Sequence, residues 1–246
     1  MTTLAAIRSF VPTAAAALAI AGFSWLGLWQ LDRAGEKERH EEMFAARSVD
    51  APILLNERLS TMPSELDPHW WRYRRVEILG ETLGERQYLL DNRTRNGVAG
   101  YHVHVPMLVA GIGRVVLVNR GWVETGPSRQ RRPDISLAAS EVVISGLVEY
   151  PRLTLLLGDD GYGESAWPKV VQRIDLDKTA RDLGRQVLPF VVLMDAELAH
   201  GFVREWTPYL GIGPERHRGY ALQWFSLAAA VAVVWIVLKV RGARRR

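Results

Sequence analysis

The sequence predicts a membrane protein with two transmembrane helices, one near each end, flanking one mainly β (α+β) extracytoplasmic domain. Three observations predict it. Ser9 to Leu31 holds no charged residue, and Tyr220 to Leu238 again holds none. Each run is long enough to cross a bilayer core of roughly 30 Å as a helix. Between them the texture changes to short β-branched and aromatic runs punctuated by Gly, Asn or Pro. Charge is the third observation. Residues 1–31 carry only Arg8, and residues 220–246 carry Lys239, Arg241, Arg244, Arg245 and Arg246 with no acid. The formal net charge is +4, so residues 32–219 are slightly acidic and the basic excess sits in the tails. That distribution is not a nucleic-acid footprint, and no nucleic-acid partner is expected.

In chain order, Trp25 and Trp29 near the end of the first run suit an interfacial aromatic belt, as do Tyr220 and Trp224 at the start of the second. A basic cluster just past an apolar span is a positive-inside anchor, which places the C-terminus, and with two spans the N-terminus, in the cytoplasm. The predicted division is 1–8 cytoplasmic N-terminus, 9–31 first transmembrane helix, 32–219 extracytoplasmic β-rich domain, 220–238 second transmembrane helix and 239–246 basic cytoplasmic tail. A rival reading of the first run is a signal peptide cleaved after Ala19-Ile20-Ala21. Cleavage there would expose Phe23, Trp25, Leu26, Leu28 and Trp29 at a new N-terminus, so a retained helix is expected. Within it, Gly27 permits close helix approach, and Gln30 offers a hydrogen bond to the other span or to a partner helix.

"DRAGEKERHEEMFAARS" is rich in helix formers with interleaved charge, so the first helix continues beyond the span. Pro52, Pro63 and Pro68 then break any long element. Strands are expected in "WRYRRVEILGE", "RQYLLD", "GYHVHVPMLV", "GRVVLVNRGWV" and "EVVISGLVEY". "VVLVN" reads as buried on both faces. "DLDKTARDLG" puts Leu176, Ala180 and Leu183 at helical spacing with Gly184 as a stop signal, ahead of a last strand, "PFVVLMD".

Candidate chemistry is sparse. No cysteine is present, so thiolate ligands, thiol nucleophiles and disulfides are excluded. His102 and His104 alternate with Tyr101, Val103 and Val105 and share one strand face. Two ligands do not hold zinc, so a half-exposed strand face is the favoured reading. Arg93 and Arg95 in "DNRTRNGVAG" could hold an anion, but Asn96-Gly97 is more simply a hairpin turn. "NRGW" at 119–122 has the same two readings. Nucleophile-elbow, phosphate-loop, dinucleotide and zinc-protease motifs do not occur, and no enzyme activity is expected. His217 opens "HRGYALQWF". On a helix His217, Tyr220 and Trp224 lie at i, i+3 and i+7 and share a face. That face could offer an imidazole ligand and aromatic walls to a haem, with Arg216 or Arg218 near its propionates. The alternative is an interfacial histidine beside snorkelling arginines.

The order and spacing of "GLWQLDR" at 27–33, "YLLDNRTRNGVAGYHVHVPML" at 88–108, "VLVNRGWV" at 116–123 and "HRGYALQWF" at 217–225 resemble the surfeit locus protein 1 family over nearly the whole chain. Weaker likeness covers 49–70 and 126–165. The resemblance implies a bacterial inner-membrane assembly factor for haem-copper terminal oxidases, assisting delivery of haem a to the catalytic subunit, subunit I, of cytochrome c oxidase. It implies haem a as a transient cofactor, His217 as the axial iron ligand, and Trp224 beside it. Tyr220 and Arg218 join as candidate haem contacts by their helix-face spacing. Implied partners are oxidase subunit I, haem A synthase and the lipid bilayer. The alternative function is a haem-independent scaffold bridging oxidase and haem A synthase.

Overall fold

The computed structural model describes residues 2–61, 66–126, 131–151, 159–208 and 211–244, with side chains from residue 10 onward. Pro63, Arg245 and Arg246 lie outside the described residues. The chain divides into two compact units, Met1–Met43 with Pro208–Arg246, and Phe44–Thr207.

The first unit is a pair of long helices, α1 (Thr2–Arg47) and α5 (Pro214–Arg244). As expected, α1 runs well past the apolar segment. An Arg33–Glu36 ion pair at 2.6 Å supports its charged part at i, i+3 spacing. Both helices are long and apolar enough to cross a membrane. They run antiparallel, since early residues of α1 meet late residues of α5. Phe23 stacks on Trp224 with ring centroids 5.7 Å apart, and Trp235 Nε1 donates to Thr13 Oγ1 at 3.4 Å. Gly27 and Ala34 are buried on α1, and His217, Ala221 and Ala228 on α5. Small residues on both sides of the seam let aromatic rings lie between the helices. Along the apolar segments the remaining surface is uncovered, with Leu18 74% and Leu222 69% exposed.

The second unit is built on a sheet. Its elements are β1 (Ile53–Leu54), α2 (Leu55–Thr61), α3 (Pro68–Trp71), β2 (Arg75–Thr82), β3 (Tyr88–Arg95), β4 (Val98–Val109), β5 (Val115–Glu124), β6 (Glu141–Glu149), β7 (Lys169–Val171), α4 (Leu176–Leu183) and β8 (Val187–Met194). The strand order is β1-β2-β6-β8-β5-β4-β3-β7, and β2 also pairs with β4. That pairing, Gly80–Thr82 against Met107–Val109, closes β2, β6, β8, β5 and β4 into a five-stranded ring. Alternate residues point inward, which is the period-2 rule at work. Val76 and Ile78, Val105 and Met107, Val116 and Val118, Ile144 and Val148, and Phe190 and Val192 make one core. Leu55, Leu59 and Trp71, carried by the short helices, pack in the same core. A second apolar cluster joins Leu117, Leu147, Val191 and Leu193 to Tyr88, Tyr162 and Ile174.

All the expected strands form. Helix α4 has Asp175 as its N-cap, accepting from Lys178 N at 3.0 Å, and ends on Gly184 at φ 62°. Asn96 and Gly97 have φ of 51° and 81°, the two-residue hairpin turn expected between β3 and β4. The parallel pairs β1–β2, β3–β7 and β5–β8 make the sheet mixed.

Candidate functional site

The β unit uses its candidate groups internally. Val103 pairs with Gly121 and His104 with Asn119, so Arg120 is the extra residue of a β-bulge. This explains "NRGW". Gly121 takes φ 113°, and a Cβ there would sit 2.7 Å from Val203 O. Arg120 turns into the unit and is buried. Its guanidinium donates to Gln87 Oε1 at 2.6 Å, Ile135 O at 2.9 Å and His200 O at 2.7 and 2.9 Å. Burial pulls its pKa down to about 10, which leaves it cationic at neutral pH. A cavity of about 460 Å³ lies beside it, but this cation is already bonded to carbonyl oxygens and offers an anion little.

The half-exposed face expected for His102 and His104 is corrected. His104 is 2% exposed, and His102 is half-buried under the Trp206 ring at 5.8 Å. Burial, reinforced by the Arg93 charge, pushes His102 down to about 4. Burial first, then His102, pushes His104 down to about 3. Both rings are neutral at pH 7. Among the described residues no three His, Cys, Asp or Glu side chains gather as a metal site. Arg95 pairs with Glu205 at 2.7 Å, and Arg93 O accepts from Trp122 Nε1 at 2.7 Å. The hairpin reading of that stretch holds.

The helix pair differs. His217 begins the second turn of α5, is 8% exposed and faces α1. Its Nδ1 lies 2.6 Å from Gln30 Oε1. An amide oxygen only accepts, so Nδ1 carries a proton toward Gln30, and in an uncharged ring the lone pair is then on Nε2. Among the described residues, Nε2 makes no hydrogen bond. Trp224, two turns on, lies on the same inward side and stacks on Phe23. Tyr220 is 44% exposed, because the covered positions run 217, 221, 224 and 228 and leave i+3 at the seam's edge. Arg218 also points outward, where it pairs with Glu38 on α1 and with Glu215 at 2.8 Å. His217 and Trp224 are therefore brought together, while Tyr220 and Arg218 stand apart from them. The sequence marked Gln30 as a cross-helix donor or acceptor without assigning its partner. It offered no sign of Glu38.

These residues fit an iron macrocycle in one respect. A neutral imidazole with a bare Nε2 and a bonded Nδ1–H is the form in which histidine ligates metals. His217 would hold the iron, with Trp224 beside it. The Arg218 pairings would have to open for that side chain to meet a propionate.

Comparison with known proteins decides the class. The SURF1 family model matches residues 17–229, a span that includes both Gln30 and His217. The chain belongs to the SURF1 family. The expected resemblance is thereby shown. A SURF1-like protein of Monosiga brevicollis is 27% identical over 89% of this chain and 84% of its own length. A SURF1-like protein of Rickettsia conorii is 23% identical over 88% of this chain and 86% of its own. The cytochrome oxidase assembly protein SHY1 of Saccharomyces cerevisiae is 26% identical over 74% of this chain, and the match spans 46% of the yeast protein. The SURF1 match thus takes in most of α1, the whole β unit and the first half of α5.

Proposed function

We propose that this SURF1 family protein is a non-enzymatic assembly factor for a haem-copper terminal oxidase, held in the bacterial inner membrane by α1 and α5. The assembly part is carried by the family match together with the yeast relative, whose own name states oxidase assembly. The membrane part is supported by the uncovered apolar exterior of both helices, which is costly in water and favourable in lipid. Lys239, Arg241 and Arg244 at the end of α5 anchor that end on the cytoplasmic side. The β unit, lying between the two spans in sequence, is then extracytoplasmic. There it docks on oxidase subunit I, and haem A synthase is the second proposed partner.

The finer proposal is that the helix pair accepts haem a transiently through His217. Haem is poorly soluble and redox-active, so a factor that handles it needs a ligand shielded from water yet able to release. One imidazole nitrogen at the membrane surface meets both needs. A scaffold that bridges oxidase and synthase without haem is the second reading. It is favoured by the same seam, where Trp224 is already stacked on Phe23 and Arg218 already ion-paired.

The assembly reading is tested by deleting the gene and recording reduced-minus-oxidised spectra of the membranes. Haem a absorbance of the assembled oxidase should fall severalfold and return on complementation. Unchanged oxidase would refute it. For orientation, a reporter active only outside the cytoplasm should work in the 126–132 loop, most of which lies outside the described residues, and fail after Arg246. Full-chain mass in the mature protein would establish that the first helix is retained, whereas a product beginning at Gly22 would establish cleavage.

A further inference from the structure

We propose that Gln30 is a positioning residue for the ligand nitrogen of His217, and that its neutrality sets how readily the bound group is released. The inference rests on the haem reading above and adds a device to it. The observation is the 2.6 Å contact between Gln30 Oε1 and His217 Nδ1, made across two helices by residues 187 positions apart in sequence. Gln30 is half-buried and His217 buried, in a seam otherwise lined by Gly27, Ala34, Ala221 and Ala228 and by aromatic rings. Two polar side chains facing each other in so apolar a setting have little alternative to each other. The contact fixes three properties of the imidazole at once. It selects the tautomer with the proton on Nδ1, stops rotation about the ring's last bond, and aims Nε2 away from α1. The partner that receives a metal-ligating histidine's second N–H commonly has this role.

The kind of partner matters as much as its presence. A carboxylate in the place of Gln30 would draw the Nδ1 proton more strongly, make Nε2 a more basic ligand and favour the ferric iron. A neutral amide orients the ring without that push. It suits a site that must hold a group and then hand it on. Arg218, the residue after His217, and Glu38, about two turns along from Gln30, pair across the same two helices and help hold the register of the contact.

The test uses the full-length protein purified from cells making haem a, with Gln30→Leu, Gln30→Glu and His217→Ala. Two readouts are taken, the rate of haem transfer to excess apomyoglobin and the midpoint potential of the bound iron. Gln30→Leu should release haem on the order of tenfold faster, in line with the 10–100-fold weakening usual when a ligand's supporting partner is lost. Gln30→Glu should release it more slowly than wild type and lower the midpoint potential. Opposite shifts from the two substitutions are not expected of a residue that only packs helices, which both changes would disturb in the same direction. If His217→Ala loses haem while both Gln30 variants keep the wild-type rate and potential, the positioning proposal is overturned and the haem reading stands. If wild type carries no haem, or His217→Ala keeps all of it, the haem reading fails and this proposal fails with it.

Discussion

His104 and His217 are both buried histidines, each with Nδ1 bonded to an oxygen, and the two units bury them in different ways. His104 lies in the β unit, and its Nδ1 partner is His102 O, the backbone of its own strand two residues away. The sheet supplies that contact with the fold, and burial keeps the ring uncharged. His217 lies in the helix pair, and its partner is a side chain from the other end of the chain. A backbone partner is there whatever the side chain does. A side-chain partner has to be retained as a residue, in a seam that apolar residues would fill at lower desolvation cost. Each ring keeps a lone pair on Nε2 when Nδ1 donates, so the difference lies in the partner: the sheet's own backbone for His104, and a side chain of another helix for His217.

Glycine substitutions give the largest expected effect and should divide the two regions. A Cβ on Gly80 or Gly146 would collide with the backbone carbonyl of Leu108 or Leu193 on the neighbouring strand. Gly80→Ala and Gly146→Ala should each cost about 3 kcal/mol, because a paired strand cannot yield. Thermal melting of the purified full chain checks this. A melting temperature equal to wild type would mean that the ring is not closed where β2 meets β4 and β6 meets β8.

Next in size is the response to acid. His102 and His104 have folded pKa values pushed below the ordinary 6.5, to about 4 and about 3. The unfolded chain then binds more protons than the folded one below pH 6.5. Stability should be fully present above that pH and fall as pH drops through it toward 4. The loss between pH 7 and 5.5 should be about 2.5 kcal/mol for the pair, since one pH unit below 6.5 is worth up to about 1.4 kcal/mol per group. His102→Gln should make the melting temperature less dependent on pH over this range. An unaltered slope would mean that the acid response comes from other groups.

Sequence made much of this legible and missed the rest for physical reasons. The two apolar helices, the β runs and the C-terminal stop of α4 are local patterns, written in the period and charge of neighbouring residues. Asn96-Gly97 and Gly184 show the same, each announcing its turn by the φ it can adopt. Ring closure through Gly80–Thr82 and Met107–Val109 is a choice of partner, and no local pattern states it. The three-residue β7 is too short to show a period. In the candidate site, His217 and Trp224 were legible as one helix face. Tyr220 was grouped with them because i+3 and i+4 are alike until the position of the other helix picks one. That Gln30 bonds across to the other helix was legible; that His217 is the residue it meets was not. An unusual polar residue inside an apolar run was the whole signal.

In the helix pair, smaller effects are expected. A Cβ on Gly27 would come within 2.6 Å of the Phe225 ring edge, a side chain that can turn. Gly27→Ala should therefore cost about 1 kcal/mol or less. The bulkier Gly27→Leu should lower membrane oxidase content more than Trp29→Phe, whose ring is 41% exposed. Equal effects would mean that the helices do not need to meet at Gly27. For haem retention by the purified protein, Trp224→Ala should lose about 1 kcal/mol of stacking. Arg218→Ala should lose less, about 0.5 kcal/mol, since its ion pairs are exposed to solvent. Haem loss in the reverse order would place the propionates, and not the ring faces, in control.

The proposed haem site stands or falls with Nε2 of His217 as the iron ligand. The direct measurement is the haem a absorption spectrum of wild type and His217→Ala, purified in full length from the same haem a-producing cells. Each is paired with a melt of its β unit. Wild type should carry haem a, and His217→Ala should lose most of it with the melt unchanged. A His217→Ala protein that keeps the full haem spectrum, or a wild type that never acquires one, would rule out iron ligation by His217.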